Sequence, residues 1–209
     1  LYCFALLPTA ISTAETPQPI ESVSLDLGAI WRNSPIAAAA CFLIGVANGA
    51  FGTLGAVYGA RIGLSNANIA YMMSVPVVAG ALMQLPFGRL SDRMDRRYVL
   101  AGIAALGVVL GAVMFGIRPT QPSLIIALVG IYGGAAYSLY AIAVAHANDH
   151  ANSSNFIKVS GGLLILFGLG TVVGPIFGAW AMSAFGPEGI FLVTACSHLL
   201  IIVYAIQRT

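Results

Sequence analysis

Three side chains near the middle of the sequence, His146, Asp149 and His150, fall at i, i+3 and i+4, the spacing at which two imidazoles and a carboxylate share a helix face and can hold a metal. No ligand from a further segment accompanies them, so they read as wettable polar groups closing an apolar stretch. Cys3, Cys41 and Cys196 are far apart, without metal-ligand or CxxC spacing, and read as small apolar fillers. No nucleophile and base stand in a catalytic pattern, so no catalytic residue, metal or cofactor is assigned. The densest ionic chemistry lies in Gly88-Arg89-Leu90-Ser91-Asp92-Arg93-Met94-Asp95-Arg96-Arg97, with four arginines and two aspartates in ten residues. Such a segment pairs with acidic groups or lipid phosphates.

The elements that must position these groups follow from composition. The chain is 59% hydrophobic and 8% charged, with a mean hydropathy of +0.92, far from the balance of water-soluble domains. Six apolar stretches, at 36–60, 69–87, 98–117, 124–145, 161–185 and 190–206, approach or exceed the roughly 20 residues needed to cross ~30 Å of hydrocarbon. None contains Asp, Glu, Lys or Arg; all sixteen charged residues fall between the stretches or at their ends. That distribution is expected where a charge at mid-bilayer costs about 2.5–3.5 kcal/mol. Each stretch is apolar all round, unlike the one-sided helices of a soluble bundle.

Six crossings place both chain ends on one side. That side collects Arg32, Arg89, Arg93, Arg96, Arg97, Lys158 and Arg208, against Arg61 and Arg118 opposite. The positive-inside rule makes the richer side cytoplasmic, and the basic cluster then reports topology, not nucleic-acid binding. Residues 1–7 read as the tail of a preceding transmembrane helix, residues 8–34 as a polar cytoplasmic inter-domain linker, and residues 35–209 as a six-helix bundle. Residues 25–31 are expected as a short interfacial helix anchored by Trp31 and Arg32.

The segment from Gly88 to Arg97 resembles the loop signature of the major facilitator superfamily, Gly-x-Leu-x-Asp-Arg-x-Gly-Arg-Arg/Lys. Gly88, Leu90, Asp92, Arg93, Arg96 and Arg97 match, and Asp95 stands in place of the second Gly. Gly170-x-x-x-Gly174-Pro175-x-x-Gly178 is similar to a Gly-Pro helix motif of the same superfamily, and reads as a kinked packing helix. The linker, the Ser-Asp-Arg-Met-Asp-Arg-Arg form of the loop and the run from Tyr137 to Asp149 resemble the second half of the YcaD-like branch. The fold class expected is therefore an all-α membrane protein, six transmembrane helices forming one half of a twelve-helix major facilitator fold.

The resemblance implies a conformational latch at Gly88, Asp92, Arg93, Arg96 and Arg97; a plain positive-inside anchor is the other reading. From the residues themselves, Gly88 is expected to allow close helix approach and Asp92 to face a neighbouring helix N-terminus, whose positive dipole end favours a carboxylate. Family architecture puts the first, second, fourth and fifth spans around a central cavity. Substrate contacts are then sought at Asn48, Gln84, Tyr137 and Tyr140, each also readable as a helix-to-helix hydrogen bond. His146 and Asp149 form a candidate cytoplasmic gate, pH-sensitive if His146 titrates near its ordinary pKa of about 6.5. With no Asp or Glu inside a span and His198 the one mid-span imidazole, any proton-coupling acid is expected in the other half, or transport is uncoupled. The function expected is secondary active transport of a small neutral or amphiphilic solute by alternating access, in the bacterial inner membrane. Its partners are the N-terminal six-helix half, lipid and substrate, without nucleic acid. The alternative is a non-transporting polytopic membrane interaction or receptor protein.

Overall fold

The computed structural model describes residues 28, 31–32, 34–149 and 156–207. The expected helix tail at 1–7, nearly all of the linker, Cys3, His150 and Arg208 lie outside these residues. Among the described residues six long helices follow one another: α1 (Pro35–Arg61), α2 (Asn66–Arg93), α3 (Arg96–Ile117), α4 (Pro122–Asp149), α5 (Phe156–Phe185) and α6 (Gly189–Gln207). Each is long and apolar enough to cross a membrane. Each of the six expected stretches lies wholly within one helix, and most of the helices run beyond them to take in flanking polar residues.

The joints are tight because the sequence supplies the right turn residues. Gly63 adopts φ +79 after α1, and Gly186 adopts φ +92 after α5, a region glycine enters without steric cost. Pro35 stands in the first turn of α1, where its missing N–H would have had no partner. Ser65 caps α2 by accepting from the Asn68 backbone N–H at 3.3 Å.

The packing repeats itself. α1 lies along α5 as α4 lies along α2; α1 touches α6 as α4 touches α3; α3 and α6 meet each other. Two three-helix units, α1–α3 and α4–α6, thus exchange their middle helices. The short likeness of Pro86-Phe87-Gly88 to Pro175-Ile176-Phe177-Gly178 falls on those equivalent helices. α1 and α4 are the most enclosed, while α2 and α5 show their broadest faces to the surroundings.

Between helices the contact is made by backbone. A Cβ on Gly45 would run into the Phe167 carbonyl, one on Gly170 into that of Phe42, and one on Gly174 into that of Val46. The glycine stripe of α1 therefore meshes with the Gly170, Gly174 and Gly178 series of α5, with Gly178 leaving room for Leu54. α2 and α4 do the same through Gly133 against Pro76 and Gly80 against Tyr137. In lipid, where no hydrophobic force drives helices together, such close approach supplies the association.

Candidate functional site

Arg96 begins α3 and gathers three acceptors. Its Nε donates to Asp149 Oδ2 at 2.6 Å, its Nη1 to Ser91 Oγ at 3.0 Å, and its Nη2 lies 3.0 Å from Asp92 Oδ1. The partners come from the end of α2 and the end of α4, so one guanidinium ties three helices at one face of the bundle. Planar and always charged, Arg can serve several acceptors at once, which a lysine ammonium does less well. The geometry surrounds a polar cavity of about 650 Å³ lined by Ser91, Asp92, Asp95, Arg96, His146 and Asp149, among others.

The local structure departs from the expected loop in two ways. Gly88 through Arg93 are helical and belong to α2, so that only Met94 and Asp95 separate α2 from α3. Asp95, at φ −58, is the N-cap of α3, accepting from the Arg97 backbone N–H at 2.9 Å. The carboxylate placed on a helix N-terminus is thus Asp95, whereas Asp92 faces Arg96; a helix start needs an acceptor, and Asp supplies it directly. The guanidinium of Arg97 also holds Asp95 through Nη2 at 2.8 Å and Nε at 3.2 Å. Its hydrogen bonds and those of the Arg97 backbone keep the Asp95 carboxyl down at about 2.

The gate residues join this cavity instead of forming a separate site. His146 is buried on α4 and lines it together with Asp149. Asn148, one residue before Asp149, reaches α5 through its Nδ2 to Ser160 Oγ at 3.5 Å. Arg93 and Arg89 are exposed on the same face. A Cβ on Gly88 would meet nothing within 4 Å among the described residues, so the close approach expected there is not made by these six helices.

The sequence profile of the Major Facilitator Superfamily matches residues 36–208. The chain belongs to that superfamily. Similar proteins include the uncharacterized MFS-type transporter YcaD of Shigella flexneri serotype 5b (strain 8401), 29% identical over 178 residues, covering 85% of this chain and 45% of the relative. The YcaD protein of Salmonella paratyphi B (strain ATCC BAA-1250 / SPB7) is 29% identical over 203 residues, 97% of this chain and 52% of the relative. The chain thus spans about half the length of the curated relatives it matches. Membership makes it an integral membrane protein of a transporter superfamily, not an enzyme.

Within this major facilitator chain the other expected residues are dispersed. Gly170, Gly174 and Gly178 are interhelical contacts, and Pro175 lies inside the unbroken span of α5. Gln84 is exposed on α2. Tyr137 packs against Gly80 of α2, and Tyr140 stands 4.9 Å from the Phe167 ring of α5, so the two tyrosines address different neighbours. Asn48 carries a buried Oδ1 without a hydrogen-bond partner among the described residues. His198 is fully buried, its Nδ1 2.6 Å from the Thr194 carbonyl oxygen and its ring against Tyr132 at 5.7 Å. It faces Gly107 of α3 and so lies within the bundle.

Two residues on the opposite face carry structure that the sequence reading passed over. Arg118 closes α3 with φ 50, donates from Nη2 to the Phe185 carbonyl at 3.3 Å, and lies 3.9 Å from Glu188. Glu188 is 9% exposed. The signal available was Gly186-Pro187-Glu188, a turn carrying the one acidic residue after Asp149.

Proposed function

We propose that this chain is the second six-helix half of a twelve-helix secondary transporter, and that the α2–α3 joint is its conformational latch. The observation that carries the latch is the single guanidinium of Arg96 held between Asp92 and Asp149. A node tying the ends of α2, α3 and α4 fixes the shape of one face, and competing for its acceptors changes that shape. Asp92 keeps its side chain 67% exposed although it is paired, so it remains reachable by a group from another bundle. The open space over Gly88 supports the same reading, since a small residue facing nothing in its own bundle leaves room for a helix of the other half.

The transport cycle proposed is alternating access, with the two halves rocking about a central site and the latch broken and remade on the basic face. That face is assigned to the cytoplasm of a bacterial inner membrane by its arginines. The broad faces of α2 and α5 are the surfaces offered to the other half and to the pathway. A small neutral or amphiphilic solute suits a pathway offering Asn48, Gln84, Tyr137 and Tyr140. His146 is the pH-responsive part of the gate, sharing its cavity with Asp92, Asp95, Asp149, Arg96 and Arg97; retention of the parent pH profile by His146→Ala would remove it.

The full-length transporter provides the test. Exposed reporter positions Met94→Cys and Thr120→Cys, one on each face, are labelled with a membrane-impermeant maleimide with and without Asp92→Asn. Loosening the latch is expected to alter the ratio of the two labelling rates several-fold at unchanged expression. Identical ratios would overturn the latch. Counterflow of neutral solutes in proteoliposomes tests transport itself, and absence of flux across a broad panel in both directions counts against it.

A further inference from the structure

α3 is tied to the other three-helix unit at both of its ends, each time by a guanidinium. Arg96, its first residue, holds Asp149 of α4 at 2.6 Å. Arg118, its C-cap, donates to the carbonyl of Phe185, the last residue of α5, at 3.3 Å and lies 3.9 Å from Glu188 in the α5–α6 turn. The repeat offers no counterpart, since α6 has no Asp, Glu, Lys or Arg from Gly189 to Gln207.

The Arg118 tie ends on a rigid support. Glu188 is buried in a turn that Gly186 makes possible at φ +92. The Gly189 N–H donates to the Gly186 carbonyl and the Phe191 N–H to the Glu188 carbonyl, both at 2.9 Å. A Cβ on Gly189 would run into the Ala181 carbonyl, so the start of α6 is pressed on α5. Arg118 itself holds φ 50 and ψ 60, a left-handed geometry that costs a residue with a Cβ and persists where surrounding contacts over-determine it.

We propose that α3 is a strut coupling the Arg96 latch to this Arg118–Glu188 clasp, so that a change at one face of the bundle is felt at the other. The inference rests on the latch reading above. α3 runs 22 residues, about 33 Å at 1.5 Å per residue, and contains no Pro, whereas α2 has Pro76 and Pro86 and α5 has Pro175. Nor can it shift alone. Its Gly107 receives the His198 ring, and its Gly111 lies against the Phe191 carbonyl of α6, and close-packed contacts of this kind transmit a displacement. A shift begun when Asp92 or Asp149 leaves Arg96 is therefore carried, together with α6, to Arg118. What the clasp then releases is the end of α5, one of the two helices with the broadest exposed faces. Linkage makes the coupling reciprocal: loosening the clasp shifts the latch equilibrium by as much as opening the latch shifts the clasp.

The full-length transporter, with its native cysteines replaced, carries Met94→Cys at the latch face or Thr120→Cys at the clasp face and is labelled with the impermeant maleimide. Glu188→Gln removes the acceptor of the clasp; Arg118→Gly removes its donor while keeping the left-handed backbone accessible. Each is expected to change the Met94→Cys rate several-fold, in the opposite sense to the Thr120→Cys rate, although Met94 lies beyond the far end of α3. Asp149→Asn should move the same two rates, and its combination with Glu188→Gln should fall short of the product of the separate effects, as coupled sites do. Unchanged Met94→Cys labelling in either folded clasp variant overturns the coupling. So do rates that rise together on both faces, which is general loosening, or effects that multiply independently. Asp92→Asn separates the two readings. If it shifts the labelling ratio and the clasp variants do not, the latch stands and the coupling falls; if it leaves the ratio unchanged, both fall.

Discussion

At Arg96 one guanidinium serves acceptors on α2 and α4, with only 20% of its side chain exposed. Asp149 is half exposed, so solvent screens the pair and holds its worth near that of surface ion pairs. Arg96→Gln and Asp149→Asn are each expected to lower unfolding free energy by about 1 kcal/mol, and the double variant by about 0.5 kcal/mol less than their sum, as contacting partners do. Fully additive losses in a denaturation series would show that the two do not interact. Asp95 has a different dependence, on pH. Its carboxyl titrates at about 2 in the folded chain, below the ordinary value of about 3.9. The stability it contributes is therefore complete above pH ~4 and is lost as pH falls toward 2. Asp95→Asn should remove that part of the acid limb while keeping a capping oxygen, and Asp95→Ala should cost about 1 kcal/mol more at neutral pH through the lost cap. Thermal unfolding in detergent between pH 2 and 7 checks both.

For the helices, the decisive quantity is how closely backbones approach. A side chain on Gly174 collides with the Val46 carbonyl, which belongs to a packed helix and cannot yield like a flexible side-chain tip. Gly174→Leu is accordingly expected to destabilise the α1–α5 pair by more than about 4 kcal/mol, measured as loss of the folded form in a detergent denaturation series. Gly52 lies on α1 with the other glycines, yet a Cβ there meets nothing within 4 Å, and Gly52→Ala should stay within about 0.5 kcal/mol of the parent. The glycines of α1 therefore include both essential and neutral members. Which is which depends on the helix it faces. Pro76 illustrates the same dependence: inside α2 it removes a backbone donor, yet its ring is also the surface received by Gly133.

Across the molecule, the distribution of charge and the repeat of packing define two unlike faces. One carries the Arg96 node, Asp95 and the basic residues; the other carries the Arg118–Glu188 pair and the turns at Gly63 and Gly186. With the native cysteines replaced, Met94→Cys in the full-length protein is expected to react with an impermeant reagent only from the cytoplasmic side, and Thr120→Cys only from outside. Reaction of Met94→Cys in intact cells would reverse the orientation. The membrane nature, the number of helices and the family were legible because they depend on local quantities: uninterrupted apolar length, exclusion of charge from it, and a ten-residue signature whose residue types are fixed by position. The companion of the signature was not legible. Asp149 read as a neighbour of His146 because the two lie three residues apart, while its partner Arg96 is 53 positions away and meets it only when α3 and α4 pack. The same reason hid the burial of His198, whose surroundings come from α3 and α4, and the tie from Arg118 to the Phe185 carbonyl, 67 positions away. Sequence by itself determined which segments leave water, since transfer into lipid is a property of each segment; the tertiary structure alone decided which side chains meet, since interhelical contacts depend on the rotation and approach of helices that share no local sequence.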